Sequence, residues 1–177
     1  MDKKLQGLYA ITDEVLTPDD TVLTQVREAL EAGVKILQYR NKNASDSEVK
    51  EIGADGLHIG KDDMPLSEVR EIFPKGIIGV SCYGSVKKAL ETQAEGASYV
   101  AFGSFFPSPT KPHSGIVNKS VVTKAKESLE IPVCVIGGIS AANIHEMAAL
   151  HPDMISVVSA VFDGNITHNV KNLLQKI

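Results

Sequence analysis

One junction recurs along the chain and limits the folds open to it. Ala32-Gly33-Val34, Gly53-Ala54-Asp55-Gly56-Leu57 and Gly96-Ala97-Ser98-Tyr99-Val100 each close a helical pattern, turn on glycine and begin an apolar run. Repetition of such a junction implies stacked βα units rather than separate domains. Strand-like and helix-like segments alternate around it. Strands are expected over 7–12, 35–40, 56–59, 77–81, 99–103, 132–136 and 154–158. Several are apolar on successive residues, as parallel strands covered on both faces should be. Helices are expected over 20–32, 85–95, 118–129, 140–150 and 168–177. In the first of these, Val22, Leu23, Val26, Ala29 and Leu30 form one apolar stripe, with Asp19 or Asp20 as N-cap and Gly33 as terminator.

This order predicts an α/β fold, a (β/α)8 TIM barrel built as one domain over residues 1–177. Such barrels ordinarily need ~200 residues or more, and one βα unit, the third-strand region, is absent here. Only ten residues separate Lys42 from Gly53, where a helix, a strand and another helix belong. Ser45–Lys50 reads as a capped helix start cut short. A seven-stranded barrel is one account. A segment left out of the chain as given is the other, and the one we expect.

Charge and composition narrow the partners. A net charge of −4 gives no basic surface for nucleic acid or an anionic membrane. No apolar run approaches the ~18 residues of a membrane-spanning helix, and the amino end has no secretory pattern. Cys82 and Cys134 sit inside apolar runs, as small core residues in a reducing cytoplasm would. A cytoplasmic protein acting on small molecules is expected, with a homo-oligomer left open.

In a barrel of this kind, function gathers at the carboxyl ends of the strands. After the second strand, alternation sends Gln38, Arg40 and Lys42 to one side. Arg and Lys together suit a doubly charged anion such as a diphosphate, and a salt-bridged barrel mouth is the plainer alternative. After the next strand come Asp62 and Asp63. Adjacent acids there can bind Mg²⁺, although Asp before a helix is also a common N-cap. His58 suits a satisfied core position as well as a ligand contact. Ser81 ends its strand as a hydroxyl donor, and no neighbour in sequence offers it a general base. Ile136-Gly-Gly-Ile139 and Val157-Val-Ser-Ala160 end the last two strands, where these barrels commonly hold a phosphate.

Ser104–Gly115, SFFPSPTKPHSG, is about twice as long as a simple connection needs. Its three prolines preset φ, so Ser108, Thr110 and Lys111 would be held over the barrel mouth at little entropic cost, as a flap.

Together these residues resemble the thiamine-phosphate synthase family, from Leu8 to Val161. The motifs are Gln38-x-Arg40-x-Lys42, His58-x-Gly60-x-x-Asp63-Met-Pro65, Gly79-Val-Ser81, Gly103 to Lys111, Ile136-Gly-Gly-Ile139 and Val158-Ser159-Ala160. The resemblance implies a Mg²⁺-dependent transferase. It joins 4-amino-2-methyl-5-(hydroxymethyl)pyrimidine diphosphate to a thiazole phosphate by a dissociative route, giving thiamine phosphate and diphosphate. It also implies roles. Gln38 would face the pyrimidine, while Arg40, Lys42, Ser81 and Lys111 address the diphosphate, with Lys111, Ser81 and Arg40 catalytic. Asp63 would be a magnesium ligand. Ser108, Thr110, Gly138, Val158 and Ser159 would hold the thiazole phosphate. The family's Asn-Asp pair, whose Asp is a second metal ligand, is absent and belongs where the third-strand unit is missing. Lys61 stands where Gln is more usual. Two other readings are a thiazole tautomerase of similar sequence, which Arg40, Lys42 and Lys111 argue against, and a phosphate-binding regulatory protein.

Overall fold

A computed structural model of the protein describes residues 5–40, 53–108 and 115–177. Seven strands appear where the apolar runs place them: β1 (Gly7–Ile11), β2 (Ile36–Gln38), β3 (Gly56–Ile59), β4 (Ile77–Tyr83), β5 (Tyr99–Phe102), β6 (Val133–Ile136) and β7 (Met154–Val157). All described pairings are parallel, in the order β2-β1-β7-β6-β5-β4-β3. The sheet curls into a nearly closed barrel whose seam lies between β2 and β3. That is where the sequence places the absent unit, and the helix start expected at Ser45–Lys50 lies outside the described residues.

Helices α1 (Val22–Ala32), α2 (Leu66–Ile72), α3 (Val86–Ala94), α4 (Ser120–Ser128), α5 (Ile144–Ala148), α6 (Ser159–Phe162) and α7 (Ile166–Leu174) connect the strands or follow them. Gly33 ends α1 at φ 123°, donating to the carbonyls of Ala29 and Leu30. Thr21, not an aspartate, precedes α1, and it makes no side-chain cap. Val22 and Ala29 are buried, but Leu23 and Leu30 are exposed, because the buried arc is narrower than the stripe suggests. The last helix begins two residues before the expected start, because the Asn165 side chain accepts from the His168 amide and caps it.

The apolar interior divides in two. The larger cluster packs helices on the outer face of the sheet through Leu8, Ile78, Val100, Val133, Val135 and Ile155, among others. The smaller one fills the barrel itself, with Leu5, Tyr9, Ile11, Tyr99, Ala101, Cys134 and Met154. Both cysteines are free and buried, Cys82 outward and Cys134 inward. Burial pushes both thiols up from their ordinary range. Among the described residues, no helix is long and apolar enough to cross a membrane.

Candidate active site at the strand ends

Inward positions of β1 to β5 carry a row of hydrogen-bonded side chains, some at the carboxyl end of a strand and some deeper in the barrel. The Tyr9 hydroxyl on β1 donates to Gln38 Oε1 on β2 at 2.8 Å. It also lies 3.2 Å from the Tyr99 hydroxyl on β5. Tyr99 in turn meets His58 Nδ1 on β3 at 3.0 Å. His58 Nε2 lies 2.9 Å from Ser81 Oγ on β4. Gln38 and Ser81 therefore occupy opposite ends of one array spanning the barrel. Tyr9 and Tyr99 are each only 4% exposed, and their rings meet edge to face at 6.4 Å. Desolvation by burial raises both phenols far above their ordinary range, so both remain neutral hydroxyls.

Gly79 explains how a tyrosine fits there. A Cβ on Gly79 would fall 2.0 Å from Tyr99 Cζ, so the aromatic ring rests on bare backbone. The Gly79-x-Ser81 spacing thus makes room for one member of the row and supplies another.

The remaining expected residues surround this array. Arg40 lies just past β2, its amide donating to Thr12 Oγ1 at 2.8 Å. Arg40 and Tyr39 line a hollow of about 440 Å³ with Thr12, Asp13, Glu14 and Asp19. Asp63 lies exposed in the loop after β3, where its Oδ2 accepts from the Gly60 amide at 2.6 Å. That bond fixes the carboxylate and leaves its other oxygen free for a ligand. The loop also lies against the end of β4, where the Lys61 backbone acts on the Tyr83 phenol to hold it down. Burial, with Asp62 and Asp63 nearby, raises the Tyr83 phenol. No group of three or more His, Cys, Asp or Glu side chains suited to a metal occurs among the described residues.

The phosphate-loop candidates meet on the other side of the mouth. Gly137 and Gly138 follow β6 with φ of 105° and 66°. A Cβ on Gly138 would lie 2.5 Å from the carbonyl oxygens of Phe106 and Pro107, so this turn carries the root of the proline loop. The Phe106 amide donates to Gly137 O at 3.0 Å, and the Val117 amide to Ser104 O at 2.8 Å, pinning both ends of the loop. Lys119 stacks over the Phe106 ring and pairs with Glu146. Ser108 follows directly from this root. Val158 precedes α6 and Ser159 opens it, just past the end of β7, the strand next to β6. The Val161 and Phe162 amides donate to Val158 O, whereas the helix's opening amide, that of Ser159, has no intrahelical acceptor. Lys42, Thr110 and Lys111 lie outside the described residues.

The fold thus brings together Gln38, Ser81 and the loop bearing Asp63 around the interior row, and Ser108, Gly138, Val158 and Ser159 around the β6–β7 ends. Two features escape a reading by sequence. His58 stands against Ser81, although no neighbour in sequence offers that serine a base. Tyr9 and Tyr99 form the middle of the row, and alternation within β1 and β5 was the only signal for them.

A family model described as Thiamine monophosphate synthase matches residues 8–52 and 49–161. The two stretches meet inside the interval of the absent unit. The thiamine-phosphate synthase of Wolinella succinogenes is 40% identical over 206 residues, covering 98% of this chain and 95% of the relative. That of Acidithiobacillus ferrooxidans is 38% identical, covering 91% and 88%. Among solved structures, a thiamine phosphate pyrophosphorylase from Pyrococcus furiosus superposes with a TM-score of 0.84 at 35% identity, covering 98% of this chain and 95% of that one.

Proposed function

Since the chain belongs to the thiamine monophosphate synthase family, we propose that it joins 4-amino-2-methyl-5-(hydroxymethyl)pyrimidine diphosphate to 4-methyl-5-(2-phosphooxyethyl)thiazole, releasing diphosphate. The product is thiamine phosphate, made in the cytoplasm from small molecules. The observation that carries the reading is the interior row, which holds Gln38 and Ser81 at fixed positions across one barrel mouth.

Gln38 accepts from Tyr9 through Oε1, which leaves its amide nitrogen to address an acceptor on the pyrimidine. Ser81 and Arg40 flank the diphosphate, joined by Lys42 and Lys111. The route is dissociative: the C–O bond to diphosphate breaks first, and the thiazole nitrogen then captures the pyrimidine-methyl cation. No enzyme nucleophile is required, so these residues act by holding the leaving group and aligning two rings. Asp63 suits Mg²⁺, which takes one or two carboxylates and fills its shell with water and phosphate oxygens. A Mg²⁺ ion held by Asp63 would supply neutralisation of charge developing on the departing diphosphate. Gly138, Val158 and Ser159 hold the thiazole phosphate through backbone amides, with the hydroxyls of Ser108 and Thr110 as further donors to it.

Incubating the purified protein with both substrates and Mg²⁺ tests the proposal. Thiamine phosphate is the expected product, and its absence from folded protein would overturn the reading.

A further inference from the structure

Asn143 immediately precedes α5, where an asparagine side chain ordinarily accepts an amide from the first turn of its own helix. Here it makes no such cap. The carboxamide turns back instead. Its Oδ1 accepts from the Ser140 amide at 2.8 Å, and its Nδ2 donates to the Gly138 carbonyl at 3.0 Å. Those partners fix which way the carboxamide is turned, since an N–H can only donate and a carbonyl can only accept. The turn after β6 is therefore clasped by a side chain that its own helix does not use.

A trans peptide is planar, and its N–H points away from its C=O. Asn143 holds the Gly138 carbonyl on the α5 side, where Ile144 and Met147 anchor that helix in the outer cluster. The Ile139 amide belongs to the same peptide and is directed the opposite way, away from α5. The preceding peptide is fixed in the same manner. The Gly137 carbonyl accepts from the Phe106 amide at 3.0 Å, which sets the direction of the Gly138 amide. Among the described residues, neither the Gly138 nor the Ile139 amide has an acceptor. Two adjacent amides of this kind past the end of a barrel strand suit an anion. Gly137 and Gly138, at φ of 105° and 66°, have no side chains to hold these peptides still. The restraint comes from Phe106 and Asn143.

We propose that Asn143 is a positioning residue for the phosphate site: by holding the Gly138 carbonyl, it turns the Ile139 amide toward the barrel mouth. That amide is then a second donor to the thiazole phosphate, beside the Gly138 amide. The inference rests on the reading that the Gly138 turn holds this phosphate. Asparagine suits the task because one short side chain carries both the acceptor for Ser140 and the donor for Gly138.

Two measurements test it. Proton–nitrogen NMR of the labelled parent protein, titrated with 4-methyl-5-(2-phosphooxyethyl)thiazole, reads both amides directly. The Gly138 and Ile139 amide protons should move downfield together as the site fills. A shift at Gly138 with none at Ile139 would overturn the inference and leave the assigned site standing. No shift at either amide in saturated protein would overturn both. Calorimetry on Asn143→Ala, which adds no charge and removes no helix cap, is the second measurement. Affinity for the thiazole phosphate should fall by about tenfold or more, as loss of one charge-assisted donor implies. Affinity for the corresponding thiazole alcohol, which lacks the phosphate, should stay unchanged. Equal phosphate affinity in parent and variant, or a matching loss for phosphate and alcohol, would overturn the positioning role.

Discussion

Gly79→Ala should be among the most damaging small substitutions in this barrel. The added carbon would lie 2.0 Å from Tyr99 Cζ and 2.4 Å from its hydroxyl oxygen. Non-bonded carbons settle near 3.5 Å, so the ring must retreat by about 1.5 Å. Its hydroxyl contacts, at 3.0 and 3.2 Å, cannot stretch so far and remain hydrogen bonds. Overpacking a core of this kind costs about 1–3 kcal/mol. Each partner left without its Tyr99 contact, His58 Nδ1 and the Tyr9 hydroxyl, adds about 1–3 kcal/mol. A total of about 3–9 kcal/mol is a large share of the ~5–15 kcal/mol that holds most domains together. At ~2–4 °C per kcal/mol for chains of this size, Tm should fall by about 6 °C or more. Urea denaturation followed by far-UV circular dichroism measures the loss directly. Tyr99→Leu in the same chain should recover part of the damage, giving a coupling of about 1–3 kcal/mol. A Gly79→Ala protein within about 1 kcal/mol of the parent would refute the claim that Tyr99 rests on this backbone.

Lys111→Ala is expected to lower kcat by about 100-fold or more with a smaller change in KM, because the lysine acts on charge developing during departure. Unchanged kcat in steady-state assays would remove it from the mechanism. Asp63→Asn should raise the Mg²⁺ concentration for half-maximal rate by about tenfold or more, and an unaltered magnesium dependence would reassign the ion. Gly138→Ala places a side chain against two backbone carbonyls at a φ of 66°, so KM for the thiazole phosphate should rise by about tenfold. An unchanged KM would separate this turn from phosphate binding. Alkaline pH should unfold the protein progressively. The thiol of Cys134 and the phenols of Tyr9 and Tyr99 are raised above their ordinary 9.0 and 10.0, so the unfolded chain loses these protons first. Stability is then full below about pH 9 and declines above it, by up to ~1.4 kcal/mol per unit for each group. Tyr9→Phe should flatten the decline above pH 10, and an identical slope would count against a buried neutral phenol.

The barrel's layers were legible because burial on both faces of a parallel strand leaves an apolar run that nothing else in the chain imitates. The runs at 77–81, 99–103 and 132–136 became β4, β5 and β6 with shifts of only a residue or two. Helix stripes were less informative. Leu23 belongs to the apolar pattern of α1 yet is 77% exposed, since a helix on a curved sheet buries a narrow arc. Strand-end positions were readable wherever one loop held them, as at Asp63 after β3 and Gly138 after β6. The row from Gln38 to Ser81 was not, because barrel closure alone brings Tyr9, Tyr99 and His58 together across 41 to 90 residues of chain. A tyrosine inside an apolar strand looks like any aromatic core residue until its neighbours on other strands are known.

The central claim is that this barrel mouth condenses two small molecules and expels diphosphate. Simultaneous measurement of thiamine phosphate and free diphosphate, from the purified protein supplied with both substrates and Mg²⁺, tests it most directly. The account predicts that the two products appear in equal amounts, both suppressed together in Ser81→Ala. Diphosphate released with no thiamine phosphate, or neither product from protein that is folded and binds pyrophosphate, would contradict it.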